Sequence, residues 1–302
     1  MNIQWYPGHM TKTRRLIAEN LKHIDAVCEI IDARIPISSR NPDINELSVG
    51  KPRLIILNRT DLSDPALNKR WSEYFQNLGL TVVETDSKTG SGVSGFVPAV
   101  KNLLGNKLSE YIRKGQTGRT LKVMICGIPN VGKSTFINRV AKKNAAQAED
   151  RPGVTRNKQW IHADSGLDMM DTPGILWPRF DDKLCGLYLA FTGAVKDEIL
   201  DIEELAVLFF EKLVEKYPES IRARYKTDFA DSDTGFDILK RAARSRGFLR
   251  AGGREDTERM AKTLFLEFRS GKLGRITLEA PEEANREPLK EIVFKSSFND
   301  MM

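Results

Sequence analysis

Residues 127–134 read GIPNVGKS, between an apolar run, LKVMICG (121–127), and a segment of helical character from about Ser134 to Ala141. A strand that turns through glycines into a helix points a row of backbone N–H groups, and the positive end of the helix dipole, at one spot. Gly127 and Gly132 permit the bend, so the amides of Asn130, Val131, Gly132, Lys133, Ser134 and Thr135 converge on the place where the α- and β-phosphates of a nucleotide would lie. Lys133 should reach the β- and γ-phosphates, and Ser134 should set its hydroxyl on Mg²⁺.

The chain around this loop carries the alternation of an α/β fold. Short apolar runs at AVCEIID (26–32), RLIILN (53–58), TVVE (81–84), QWIHA (159–163) and LDMMD (167–171) are followed by loop signals, as buried parallel strands should be. Helical segments are predicted from Thr11 to about Ile24, Asp64 to about Leu78 and Gly92 to about Arg113. The polar stretch KGQTGRT (114–120) reads as a joint between two halves of one domain covering residues 1–180. Beyond 181 strand patterns stop. ILDIEELAVLFFEKLVEKY (199–217) and REDTERMAKTLFLEFRSG (254–271) have helical periodicity, with Asp256 a cap and Gly271 a stop, so a small all-α domain is expected over 181–285 and a loose tail over 286–302.

Four further motifs have a chemistry that fits the loop. DTPG (171–174) follows a strand; Asp171 is placed to bind the Mg²⁺ shell and the Gly174 amide to sense a γ-phosphate. Thr155, in RPGVTR (151–156), is a candidate second protein oxygen for Mg²⁺. NRTD (58–61) ends a strand. A carboxylate at Asp61 accepts from the N1 and N2 hydrogens of guanine, and adenine lacks that pair of donors. Asn58 would tie this loop to the phosphate loop, and Arg59 stands where a lysine is usual, its planar cation able to lie along the purine face. ETDSKTG (84–90) should offer the amides of Asp86 and Ser87 to guanine O6.

These are the elements of a GTPase in rearranged order: the guanine-reading pair precedes the phosphate loop instead of following it. A permuted chain keeps the same sheet if the old termini were neighbours and are joined by a linker such as 114–120. The segment after Gly174 then runs straight into the helical domain, so loss of the γ-phosphate contact should move or release that domain.

With WYPGHM (5–10), DARIP (32–36), NRTD, GIPNVGKS, RPGVTR, DTPG and a basic helical region, the chain resembles the ribosome biogenesis GTPase A family (the YlqF type) over nearly its whole length. The resemblance implies a circularly permuted Ras-like P-loop GTPase domain followed by a small all-α domain. It also implies a part in late assembly of the bacterial large ribosomal subunit, rRNA contact through the helical domain, and hydrolysis stimulated by the ribosomal particle. Ile175 occupies the position after DTPG, and an alkyl chain cannot orient water, so without a substitute intrinsic turnover should be on the order of 10⁻⁴ per second or below. The resemblance points to His9 as the group that positions the water. An Asn at the position of Asn130 helps hold K⁺ in several GTPases, which makes it a candidate potassium ligand. DARIP has no function that its residues dictate: Asp32 is placed to end a strand, and Arg34 to pair with it or with rRNA.

The net charge is +6, and it is localised. Between Lys216 and Arg275 there are 15 Lys/Arg against 9 Asp/Glu, a surplus of 6 that accounts for the whole excess. GFDILKRAARSRGFLRAGGR (235–254) sets Phe236, Leu239 and Ala243 on one face and Lys240, Arg241, Arg244 and Arg246 elsewhere, a pattern that suits either a solvated face or contacts to RNA phosphates. Cys28, Cys126 and Cys185 have no metal-ligand spacing and read as reduced thiols. His23 and His162 read as structural. No apolar run approaches the ~20 residues of a membrane span and the amino terminus lacks a signal core, so a cytoplasmic protein is expected, and a monomer because nothing in the sequence suggests an obligate oligomer. Two rivals stand beside the GTPase reading: a GTP-gated binding module in which hydrolysis is incidental, and an ATPase.

Overall fold

The structure is a computed structural model. It describes residues 15, 17–116, 118–141, 159–163, 166–174, 176, 182–230 and 232–284. These fall into two units: the described residues from 15 to 176 with Glu279–Glu282, and those from 182 to 278 with 283 and 284. The sequence reading carries the helical region to 285, whereas residues 279–282 group with the first unit.

The first unit is built on β1 (Ala26–Asp32), β2 (Arg53–Asn58), β3 (Thr81–Thr85), β4 (Leu121–Gly127), β5 (Gln159–Ala163) and β6 (Leu167–Asp171). Their order in the sheet is β3-β2-β1-β4-β6-β5. Every residue of β1 is buried, which is why its sequence runs apolar without alternation. The chain moves outward in one direction from β1 to β2 and β3, then restarts at β4 beside β1 and moves the other way. Ligands bind at the carboxyl end of a parallel sheet where the winding reverses, here between β1 and β4. All pairings but one are parallel: β5 runs antiparallel to β6, against the expectation of a parallel sheet. Only residues 164–166 join these two strands, far fewer than a parallel crossover needs.

Helices α1 (Pro42–Leu47), α2 (Pro65–Asn77), α3 (Phe96–Leu103), α4 (Gly105–Arg113) and α5 (Lys133–Ala141) connect or flank the strands. Asp64 caps α2 by accepting from the amides of Ala66 (2.8 Å) and Leu67 (3.4 Å), and Pro65 presets its first turn. The helix predicted from Gly92 to Arg113 breaks at Leu104, between α3 and α4. Of the amino-terminal helix, residues 17–21 are helical; Ile17, Leu21 and Ile24 pack on Val27, Met124, Cys126 and Met170.

The second unit holds α6 (Lys183–Thr192), α7 (Ile202–Lys216), α8 (Pro218–Tyr225), α9 (Gly235–Ser245) and α10 (Thr257–Arg269). Its core is aromatic. Phe209 lies 4.6 Å from Phe191, 5.5 Å from Phe265 and 4.7 Å from Phe268, centroid to centroid. Asp256 caps α10 as its sequence suggests, and α9 opens on a reciprocal Thr234–Asp237 capping box. The buried stripe of α9 is Ile238, Leu239, Ala242 and Ala243, with Phe236 half-buried beneath Lys240. Three helices escaped the sequence reading: α1 is short, and α6 is apolar on every side, so it carries no periodic signal. α8 has little apolar periodicity and starts at Pro218, one residue after α7. Among the described residues no helix is long and apolar enough to cross a membrane.

Candidate nucleotide site

Strand register brings the motifs to one edge. Asp32 pairs with Asn58, Asn58 with Thr85, Ile30 with Gly127 and Ile125 with Asp171, so the carboxyl ends of five strands meet at one edge, with β4 and β6 each offset by two residues. The phosphate loop fills the middle. A Cβ at Gly127 would sit 2.5 Å from the Ile30 carbonyl oxygen, so only glycine lets β4 lie this close to β1. Gly132 has φ +97°, and a Cβ there would stand 2.5 Å from Asn58 Nδ2. Asn130 also adopts positive φ (58°), which tips the loop over toward the helix.

Lys133 is buried, and its Nζ is held by the Asp171 carboxylate. Ser134 and Thr135 are exposed on the first turn of α5. Thr172, fully buried, anchors the start of the DTPG turn by donating to the Ile125 carbonyl (3.0 Å). Gly174 lies against the phosphate loop, where a Cβ would come within 2.9 Å of Pro129 Cα. The Ser134 hydroxyl and Asp171 carboxylate form an all-oxygen donor pair. Such a pair suits Mg²⁺, a hard cation bound through one or two carboxylates and other oxygens, with phosphate oxygens and water completing its shell. No cluster of three or more His, Cys, Asp or Glu among the described residues could hold a metal without such help.

On the opposite side, Asn58 joins both nucleotide-contact loops. Its Nδ2 donates to the Val131 carbonyl (2.8 Å), and its Oδ1 accepts from the Thr85 hydroxyl (3.1 Å), the Ser87 amide (3.1 Å) and the Ser87 hydroxyl (2.6 Å). Arg59 adopts φ +65° and donates to the Asn130 carbonyl. Burial, and then the charge of Asp86, push the Asp61 carboxyl above its ordinary range. The amides expected to face guanine O6 both have partners within the chain: Asp86 donates to the Ser91 carbonyl (2.9 Å) and Ser87 to Asn58. Sequence reasoning missed Thr85, Thr172 and Arg139. Arg139, on α5, donates to the carbonyls of Ser87 and Lys88 and so braces the loop from the phosphate side. Its distance from the motif in sequence hid it.

Residues 122–223 match the family described as 50S ribosome-binding GTPase. Over 283 residues the chain is 44% identical to the ribosome biogenesis GTPase A of Bacillus cereus, covering 94% of this chain and 95% of that one. The chain belongs to the ribosome biogenesis GTPase A family. It is a GTPase of that family, and the permuted motif order and the fold agree with it. The Thermotoga maritima relative is 30% identical over 93% of this chain and 95% of its own. A GDP-bound YlqF structure superposes with a TM-score of 0.64 at 26% identity, covering 89% of this chain and all of that one; the GNP-bound YlqF of T. maritima gives 0.60, covering 90% of this chain and 99% of its own.

Of the expected site residues, Asn58, Arg59, Asp61, Asp86, Ser87, Asn130, Val131, Gly132, Lys133, Ser134, Thr135, Asp171 and Gly174 gather at this edge. His9 and Thr155 lie outside the described residues, as does Ile175. Arg34 is fully buried on Asp32, which decides between its two expected partners in favour of the carboxylate. The basic residues of the helical unit carry partners too: Arg241 on Asp233 (2.6 and 2.8 Å), Arg246 on Glu267 (2.9 Å), Arg244 on Glu255 and Lys240 near Asp237 (3.4 Å).

Proposed function

We propose that this GTPase drives a switch during late assembly of the large ribosomal subunit, and that its helical unit contacts rRNA. The relatives' description as ribosome biogenesis and 50S-binding GTPases supports the reading. The observation that carries the nucleotide chemistry is the convergence of Lys133, Asp171, Asn58 and Asp61 at the carboxyl edge of a single sheet. Water attacks the γ-phosphate, Lys133 absorbs charge as the bond to the leaving oxygen breaks, and His9 positions the water. Ser134, Thr155 and Asp171 would hold Mg²⁺, which when bound neutralises charge on the β- and γ-oxygens. Asn130 would hold K⁺.

For the rRNA contact, Arg241 and Arg244 remain substantially exposed while paired, so each can exchange its carboxylate for a phosphate. Arg246 shares the buried Glu267 with Arg224 and Tyr225 and serves the fold. RNA affinity should then fall steeply with salt, through counterion release.

The deciding experiment is the GTP hydrolysis rate with and without purified large ribosomal subunits, in potassium and in sodium buffer. Stimulation of tenfold or more, larger in potassium, supports an assembly GTPase completed on the particle. GTP binding without stimulation removes the ribosome from the mechanism. Ile175, in the position where a water-orienting side chain would stand, favours the second reading, a GTP-gated binding module. A His9→Ala protein that hydrolyses GTP on the particle as fast as wild type would favour that module.

A further inference from the structure

The DARIP segment lies beside the guanine loop. Asp32, at the end of β1, accepts from Arg34 through Nε (2.9 Å), Nη2 (2.7 Å) and the backbone amide (3.0 Å). The same carboxylate stands 3.6 Å from Nε of Arg59. Its own amide donates to Ser39 Oγ (2.9 Å), and the next amide, Ala33, donates to the carbonyl of Asn58 (2.9 Å), the residue before Arg59. The loop that closes behind the motif is fastened by Glu279, which accepts from the amides of Ile37 (2.7 Å) and Ser38 and from the Ser38 hydroxyl. Burial alone pushes the Asp32 carboxyl up, but the guanidinium groups of Arg34 and Arg59 outweigh it and hold it below the ordinary carboxylate range.

We propose that Asp32 is a positioning residue of the guanine site: locked by Arg34, it fixes the guanidinium of Arg59 between its own carboxylate and the Asn130 carbonyl, with the flat face turned to the base. The proposal rests on reading residues 58–61 as the guanine loop. Arginine differs from lysine in needing such a frame. Its charge is spread over a plane whose stacking value depends on orientation, and a long flexible side chain loses rotamer freedom when a ligand orders it. A carboxylate on one edge and a carbonyl on the other set the plane before the ligand arrives. Arg34 makes the arrangement affordable, because a buried Asp32 facing only the half-exposed Arg59 would be poorly compensated. The motif thus supplies an anchor (Asp32), a backbone tie to β2 (Ala33) and a lock (Arg34).

The test is equilibrium binding of GDP and of inosine diphosphate, which lacks the 2-amino group, to wild type, Asp32→Asn, Arg59→Ala, the double variant and Asp61→Ala. Asp32→Asn and Arg59→Ala should each raise the GDP dissociation constant about five- to tenfold. The double variant should be no weaker than either single, because Asp32 acts through Arg59. The preference for GDP over inosine diphosphate should survive in Asp32→Asn, since Asp61 reads the amino group. Effects that multiply in the double variant would overturn the proposal, as would a wild-type constant for Asp32→Asn or loss of the inosine discrimination in that variant. If Asp32→Asn alone does not fold, Asp32→Asn/Arg34→Met removes both buried charges together and should show the same five- to tenfold loss. Should Asp61→Ala keep the preference for GDP, the guanine-loop reading itself fails, independently of Asp32.

Discussion

On the guanine side of the site Asn58 bridges Val131, Thr85 and Ser87 with neutral hydrogen bonds, whereas on the phosphate side Lys133 is held on Asp171 by charge. The first set lies wholly within the chain and asks nothing of a nucleotide. On the proposed mechanism the second would not persist unchanged, because Lys133 would turn to the phosphates and Asp171 to the metal shell. One side is a preformed template and the other an ion pair that substrate exchanges. A preformed template lowers the cost of binding, and an exchangeable pair keeps two buried charges satisfied until the exchange.

The largest effect should come from breaking the exchangeable side. Lys133→Ala removes the charge that meets the γ-phosphate, so single-turnover hydrolysis at saturating GTP should fall by about 10²–10³-fold. A loss below tenfold would mean that Lys133 stays on Asp171 throughout and the comparison is wrong.

Next is the template. Asn58→Ala strands a buried carbonyl, two hydroxyls and the Ser87 amide, each costing about 1–3 kcal/mol, some of it relieved by rearrangement. Urea unfolding of the nucleotide-free protein should show a loss of about 3 kcal/mol. A loss under about 1 kcal/mol would mean that the guanine side is no more preformed than the phosphate side.

The two sides were also unequally legible in the sequence. GIPNVGKS and DTPG are local: glycine spacing and one strand end dictate their geometry. All six strands were legible too, as short apolar runs bounded by loop signals, the first three rich in β-branched residues. The guanine side is assembled from β1, β2, β3 and α5, so Asp32 and Arg139 could not be tied to Arg59 and Ser87 without the register of the sheet. The antiparallel β5 depended on a turn length, and the paired arginines of α9 on carboxylates from neighbouring segments. Charge counts measured the surplus of the helical unit but not where each charge is spent.

The base reader itself should respond to pH. The carboxyl of Asp61 is raised by burial and by Asp86, with Arg59 and Lys88 opposing. Guanine donors favour the ionised form, so the pKa is lower with nucleotide bound than without. Affinity is therefore complete above the raised value of the empty protein and is lost as pH falls through it, up to tenfold per pH unit. GDP binding should start to weaken at a less acidic pH than the ordinary Asp value of about 3.9, and Asp61→Asn should flatten the profile. An unchanged profile in that variant would assign the acid loss to another group.

The smallest effect tests how far the template extends into the phosphate side. Arg139 leaves α5 to donate to the carbonyls of Ser87 (3.4 Å) and Lys88, and its stem lies where a Cβ on Gly90 would come within 3.3 Å. It is the brace between the helix that follows the phosphate loop and the loop that reads the base. Its guanidinium is exposed, so in Arg139→Ala water can take over both carbonyls and little stability should be lost. What should change is the rate at which the loop opens: GDP release, followed by stopped flow, should quicken about two- to threefold, while hydrolysis at saturating GTP stays at the wild-type rate. If hydrolysis falls along with retention of GDP, Arg139 transmits strain from the base loop to Lys133, and the two sides of the site form a single mechanical unit.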